Sequence, residues 1–380
     1  MPYYRSVGEV PRKRHTVADS PEGRRLEELI GQEGFSEESC LLYHRHSPSA
    51  LTAIEPVDDP RAGMTLTPDN PLTPRHLRTG DLPVGGEPVL GRQVVLGNDD
   101  VLLCWVAADR SSGLYRNAVG DELVYVHDGS VELKTVFGVL PLGPGDYAVI
   151  PRGVTHQWVT DDVRALVFEA AGHVRFPDRY LSTRGQLKEG APFSERDLRG
   201  PEEPLMEEGS DVPVLVRNRA GLSNLVHQHH PFDVVGWDGC LWPHALSIHD
   251  FEPLVGAIHQ PPPIHQTFAG PRFVVCSFVP RPFDFHPDAV KVPYHHANTD
   301  SDEVLFYADG DFMSREGSGI GVGSISYHPA GFTHGPQPGS WERSLDQTHT
   351  QELAVMLDTF QPLGVADVPD DPAYQRSWST

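Results

Sequence analysis

Apolar residues in this chain come in short, β-branched runs broken at Gly, Asn and Asp. From Arg92 onward, VVLGNDDVLLCWVAAD, DELVYVHDGSVELKTVFGVLPLGPGDYAVIPRGVTHQWV and VRALVFEAAG follow one another, with His127-Asp128-Gly129 and LGPGD as turns. That is the pattern of successive strands. One early stretch differs. In SPEGRRLEELIGQEGF, Leu26, Leu29 and Ile30 fall at helical spacing with charge elsewhere, and Ser20 before Pro21 can cap a helix. The chain therefore divides into an irregular arm with one helix (1–90), a strand-rich region (91–175), a polar linker rich in Pro, Gly and acids (176–215), a second strand-rich region (216–360) and a Pro- and Asp-rich tail (361–380) expected to lie along the surface.

Composition narrows this picture. The 380 residues exceed one ordinary core, so two domains are expected. Gly and Pro, 36 of each, argue against long helices and for sandwiches or barrels. A net charge of −23 makes nucleic acid and anionic membrane surfaces poor partners. The polar, basic opening MPYYRSVGEVPRKRH has no signal-like apolar run, and no stretch is long enough to span a bilayer, so the expectation is a soluble cytoplasmic protein. Cys40, Cys104, Cys240 and Cys276 are far apart and are expected to be small apolar fillers.

One short signal occurs twice. IPRGVTHQW and HPAGFTHGP each hold P-x-G-x-x-H after a Gly-rich turn, which points to a duplicated β-domain. Ahead of the second copy stand His296-Ala297-Asn298 and then Glu303. Alternate strand residues share a face, so His296 and Asn298 point one way and His295 the other. Asparagine is a poor ligand for a transition metal. The donor set is then His296, Glu303 and His334, about half an octahedron. Such an open set suits Fe(II) that must meet oxygen and an organic substrate together. Mn(II) or Co(II) fits the same ligands. In the first copy Asn117 and Glu122 stand where ligands are expected, and His156 lacks a complete shell, so that barrel is expected to be structural and metal-free. His44 and His46, in LLYHRHSPSAL, are read as polar ties between the arm and a neighbouring surface.

These features resemble the cupin superfamily, in which a jelly-roll barrel carries an early H-x-H…E motif and a late P-x-G-x-x-H motif. More narrowly, FDVVGWDG, VGAIHQPPPIHQTF, VPYHHAN…SDE and YHPAGFTHGP follow the order found in homogentisate dioxygenases. The resemblance implies a mainly β fold of duplicated cupin-type jelly-roll barrels, a bicupin with an N-terminal arm and a few short helices. It implies Fe(II) held by His296, Glu303 and His334, and opening of homogentisate by O2 to maleylacetoacetate. It implies His259 as an acid/base, a task suited to imidazole. His328 and Asn298 match positions that contact substrate or oxygen, and Tyr294 matches a pocket tyrosine. It also implies a homo-oligomer, trimers pairing into a hexamer.

Two departures stand out. The spacing from His296 to Glu303 is one residue longer than the family pattern. Phe312 and Arg315 stand where the family tends to place a substrate-binding tyrosine and lysine. Arginine can still grip a carboxylate at two points. The small aromatic acid is therefore expected to be homogentisate. The alternatives are another hydroquinone acid such as gentisate, or a bicupin that binds a metal or ligand without turnover. His265, His286 and the cluster at 227–230 are read as structural or surface residues.

Overall fold

The continuous apolar runs form a sheet that is covered on both faces. In the computed structural model, which describes residues 3–17, 19–21 and 23–379, nine strands lie side by side. Their order is Leu198–Arg199, His244–Ser247, Asp146–Ile150, Glu122–Gly129, Val163–Ala170, Val101–Ala108, Gln93–Gly97, Gly364–Val365 and Thr67–Pro68. Within Val101–Ala108, Leu103, Trp105 and Ala107 enter one core while Cys104, Val106 and Ala108 enter another. Val163–Ala170 divides in the same way, with Leu166 and Phe168 facing one core and Ala165 and Val167 the other. A strand buried on both faces needs an apolar residue at nearly every position, and this explains the unbroken runs.

One face packs on a seven-stranded sheet that includes Leu114–Asn117, Val131–Thr135, His156–Val159 and Val212–Asn218. Phe137, Trp158 and Val214 fill that core. The other face packs on a six-stranded sheet, ordered Gln266–Gly270, Phe273–Phe278, Leu353–Thr359, Asp302–Asp309, Ser324–His328 and Arg75–Arg78. There Phe306 meets Trp105 at 5.8 Å between ring centroids. Each such side chain contributes roughly 1.5–3 kcal/mol through burial. The strands pair antiparallel except Leu114–Asn117 on Val212–Asn218. A parallel pair needs a long crossover, and the chain between the two strands supplies it.

Two expectations are corrected. The stretch read as a helix contains the strand Leu26–Gly31, paired with Ser39–His44, and then a short 3₁₀ turn, Glu33–Phe35. Leu26 and Leu29 are exposed, so no apolar stripe is buried to support a helix, while the apolar run Ser39–His44 offers a complete ladder. Local helical spacing is a weak signal against such a partner. The tail does more than lie along the surface. Gly364–Val365 joins the nine-stranded sheet, and Tyr374 is fully buried.

The arm, too, is built into the fold, since Arg75–Arg78 forms an edge of the six-stranded sheet. The cysteines are free, and three of the four are buried. Among the described residues, no helix is long and apolar enough to cross a membrane.

Candidate metal centre

Glu303 sits near the start of Asp302–Asp309, opposite His328 on one neighbouring strand and Asp358 on the other. After His328 the chain turns through Pro329 and Gly331. Gly331 takes a φ of +80°, which glycine adopts without the Cβ penalty other residues meet. Its N–H donates to the carbonyl of Asn298 at 2.7 Å. The turn delivers His334 to His296, and their backbones exchange two hydrogen bonds of 2.8 and 2.9 Å. The late motif and the early histidine are thus tied directly together. The longer spacing between His296 and Glu303 is accommodated by a bend at 299–300.

Both imidazoles present the same edge to the carboxylate. Nε2 of His334 lies 3.0 Å from Oε1 of Glu303, and Nε2 of His296 lies 3.4 Å from Oε2. On the far side of each ring, Nδ1 donates to the carbonyl two residues back, Phe332 for His334 and Tyr294 for His296, each at 3.1 Å. A carbonyl only accepts, so Nδ1 carries a proton; Nε2 faces Glu303, bonding it while protonated and offering an inward lone pair once that proton is lost. One ligand atom from each of the three residues falls within a 4.8 Å cluster. Such inward lone pairs beside an anionic carboxylate fit a divalent transition metal.

Electrostatics follow from burial and bonding. Burial pushes Glu303 up, but hydrogen bonds from His296, His328 and His334 outweigh it and hold the carboxyl well below its usual range. His296 is raised, chiefly by its bond to Glu303. His328 is pushed down to about 3 by burial and is therefore neutral. Asp358, buried beside Glu303, is pushed up to about 8 by desolvation and then by its neighbour's charge.

A cavity of about 310 Å³ opens beside the cluster. His296, Glu303, His259, Tyr294, Asn298 and Arg315 all line it. His259 has Nδ1 3.4 Å from Asp284 and its ring edge-on to Tyr294, with centroids 5.0 Å apart. The amide of Asn298 reaches Asp358 at 3.5 Å. Arg315 is buried, and much of its fork is occupied: Nε donates to the hydroxyl of Tyr307 at 3.0 Å and Nη1 to the carbonyl of Gly335 at 2.6 Å.

Two expected site residues stand off the cavity wall. His328 lies behind Glu303, stacked on His334 at 3.9 Å, with Nδ1 3.0 Å from Oε1 of Glu303. Both its ring nitrogens are engaged, Nδ1 on Glu303 and Nε2 on Tyr374, which holds it away from the open space. Phe312 is buried against Tyr307, centroids 4.8 Å apart, in a small apolar cluster with Leu305 and Ala354. Sequence reasoning missed Asp358, Tyr374, His265 and Arg281. A lone acid near the end of the apolar strand Leu353–Thr359 was a usable signal for Asp358, whereas nothing local marks Tyr374.

The first barrel repeats the register with different chemistry. Glu122 lies opposite Ile150 and Glu169, as Glu303 lies opposite His328 and Asp358. His156 pairs with Tyr115, in the relation His334 has to His296. Between the acids lies a guanidinium: Arg92 donates to Glu122 and to Glu169, each at 2.9 Å. Asn117 donates to the other oxygen of Glu122 at 3.0 Å.

Comparisons with known proteins point the same way. The family model described as "Homogentisate 1,2-dioxygenase N-terminal" matches residues 100–248. The chain is 38% identical to a protein of Saccharolobus solfataricus named "Putative dioxygenase", over the whole of both chains. It is 24% identical to the homogentisate 1,2-dioxygenase of Emericella nidulans over 73% of this chain and 67% of that one. With the enzyme of the same name from Nitrobacter hamburgensis the identity is 26%, over 67% and 58%. Among solved structures, a cupin 2 conserved barrel domain protein from Leptotrichia buccalis overlays 75% of this chain and 96% of its own at 10% identity, with a TM-score of 0.37. With two imidazoles and a carboxylate clustered beside an open cavity, and a full-length relative at 38% identity named "Putative dioxygenase", the chain belongs to a dioxygenase family similar to the homogentisate 1,2-dioxygenases.

Proposed function

We propose that this protein is a non-haem iron dioxygenase that opens the ring of homogentisate with O2, giving 4-maleylacetoacetate. The observation that carries this reading is the convergence of His296, Glu303 and His334 within 4.8 Å of one another, with His296 and Glu303 on the wall of one cavity. These three residues would hold the ferrous ion. When bound, the ion supplies vacant positions for a phenolic substrate and O2, and the redox chemistry that joins them.

The chain's own groups do the remaining work. His259 accepts the proton of a ring hydroxyl, with Asp284 holding its Nδ1 side. Tyr294 packs edge-on against that imidazole and limits its rotation. Asn298, on the cavity wall, orients the reacting oxygen atoms through its amide. His328 positions Glu303 from behind without touching the substrate. Apolar wall residues such as Leu254, Ile264, Phe278 and Met356 exclude water from the ring.

The test is direct. The protein is reconstituted anaerobically with Fe(II), then given homogentisate and air, and oxygen uptake and the absorbance of maleylacetoacetate are followed. Iron-loaded protein that shows neither rejects this substrate. One observation favours a second reading. Phe312 offers no hydroxyl and is spent packing against Tyr307, so a different hydroquinone acid such as gentisate is the runner-up. A parallel assay of the two acids separates the readings.

A further inference from the structure

Three cationic side chains reach the wall of the cavity: Arg315, Lys291 and Arg281. Two are engaged. Arg315 is tied to Tyr307 and Gly335, and Lys291 donates to the carbonyl of Asp284 at 2.6 Å. Arg281 is different. It lies on the two-residue strand Arg281–Pro282, held against His349–Thr350. Its Nη1 donates to the carbonyl of Val279 at 3.1 Å, while Nε and Nη2 have no acceptor among the described residues. Glu352 and Asp284 act on it from a distance, and neither forms an ion pair with it. Burial pushes its guanidinium below the ordinary value. A partly buried cation with no anionic partner and two free donors facing the cavity is well placed to receive an anion that comes to it.

A second group on the same wall is also unpartnered. His265 is 7% exposed and stacks on Phe278 with centroids 4.5 Å apart. Its Nδ1 is buried and has no hydrogen-bond partner. Burial and then the charge of Arg281 push its pKa down to about 3, so the two groups are electrostatic neighbours and His265 is neutral. Phe278 and Ile264, beside them on the wall, offer apolar surface to a ring. Phe278, three residues ahead of Arg281, lies opposite Ala354, whereas Glu303 lies opposite Asp358, four residues farther along the same strand. Arg281 therefore marks a part of the cavity distinct from the metal end.

We infer that Arg281, with His265 beside it, anchors the carboxylate of an aromatic acid whose hydroxylated ring lies toward His296 and Glu303. This rests on the ring-cleaving reading of the same cavity. It moves the acid anchor away from positions 312 and 315, where one side chain has no polar group and the other is largely spent. A guanidinium with two free N–H groups matches a carboxylate at two points, and each charged hydrogen bond discriminates strongly against a neutral analogue.

The test is calorimetry under argon on Fe(II)-loaded protein with two probes, 2,5-dihydroxyphenylacetate and methylhydroquinone, which lacks the carboxylate. Wild-type protein is expected to bind the acid at least about tenfold more tightly. Arg281→Gln is expected to lose about 10- to 100-fold for the acid with methylhydroquinone unchanged, and Arg281→Lys to regain part of the loss. Equal wild-type affinity for the two probes overturns the anchor without any variant. So does an equal loss of both probes in Arg281→Gln, or a selective loss in Lys291→Met instead. The two proposals fail separately. Acid binding through Arg281 without oxygen uptake removes the ring-cleaving reading and leaves the anchor. Turnover with an unchanged KM in Arg281→Gln removes the anchor and leaves the reaction.

Discussion

The hydroxyl of Tyr374 donates to Nε2 of His328 across 2.9 Å, 46 residues along the chain. Because Nδ1 of His328 is spent on Glu303, Nε2 is the accepting nitrogen, and Tyr374 completes a relay from the C-terminal segment to the carboxylate of the metal centre. The pair is fully buried. Trp378 reinforces it by donating to the carbonyl of Gly335, next to His334, at 2.9 Å.

Tyr374→Phe keeps the ring and removes the donor. The expected cost is about 1–3 kcal/mol in unfolding free energy, because Nε2 of His328 is left buried and unpaired. The same change is expected to weaken metal binding by about tenfold, since Glu303 loses part of its support. Urea unfolding of the metal-free protein and a chelator competition on the loaded protein measure the two effects. A variant that matches wild type in both would show that the relay is idle.

Removing a ligand acts on binding before it acts on turnover. His296→Ala, Glu303→Ala and His334→Ala are each expected to lower bound iron to a small fraction of the wild-type content. Adding Fe(II), or Co(II) as a stable substitute, is expected to raise the melting temperature of the wild type and leave that of the variants in place, because a ligand stabilises only the state that binds it. Elemental analysis and thermal scans report this without an activity assay. Full metal content in Glu303→Ala would place the ion elsewhere.

Much of this was legible in the sequence, and the limits have physical causes. Strands were readable because the sheet of Val101–Ala108 and Val163–Ala170 is buried on both faces, which calls for apolar residues at nearly every position. The clustering of the three candidate ligands has a local source in the backbone turn: P-x-G-x-x-H carries the positive φ of Gly331 in its own letters. Leu26–Gly31 misled because its partner strand, not its own spacing, decides its conformation. His328 was expected to contact substrate or oxygen, but its ring is held by Glu303 and by Tyr374, a partner 46 residues away that no local pattern reveals. Arg281 and Tyr374 gave no local sign. Their roles come from contacts with segments tens of residues away.

The first barrel offers a control on what a buried carboxylate needs. Arg92 is buried between Glu122 and Glu169, and Arg61 adds bonds of 2.7 and 2.9 Å to Glu169. Arg92→Met strands Glu122 in the core without a cation, while Arg61 still holds Glu169. The expected loss is about 3–5 kcal/mol, the usual result of breaking a buried ion pair from one side. Arg92→Met combined with Glu122→Gln is expected to recover part of it. Urea midpoints of the single and double variants check this, and strict additivity of the two changes would deny the pairing.

Stability also depends on pH through His44. Its Nδ1 lies 2.6 Å from Asp233 and its Nε2 3.0 Å from Glu28. Burial lowers its pKa, but the bonds to Asp233 and Glu28 outweigh that and bring it up to about 9. Asp233 and Glu28 are correspondingly lowered, while Arg116, His46, His227, His229 and His230 are the other titratable groups on the same cavity wall. A folded-state pKa above the unfolded value of about 6.5 means that the folded protein binds the proton more tightly. The stabilisation is complete below the unfolded pKa and disappears as pH rises through about 9. The lowered acids work in the opposite direction, contributing above their unfolded values and fading under acid as pH falls through their folded ones. The network is therefore strongest at mildly acidic pH, above the acids' unfolded values and below that of His44. In that window His44→Gln is expected to cost up to roughly 3 kcal/mol. The gap between variant and wild type is expected to narrow progressively above pH 6.5 and to be small once pH exceeds about 9. Unfolding free energies measured for both proteins from pH 5 to pH 10 give the curve, and subtracting one from the other cancels the groups that His44 does not touch, leaving His44 with Asp233 and Glu28. A difference that stays flat across that range would show that His44 does not carry the charge its two carboxylate partners imply.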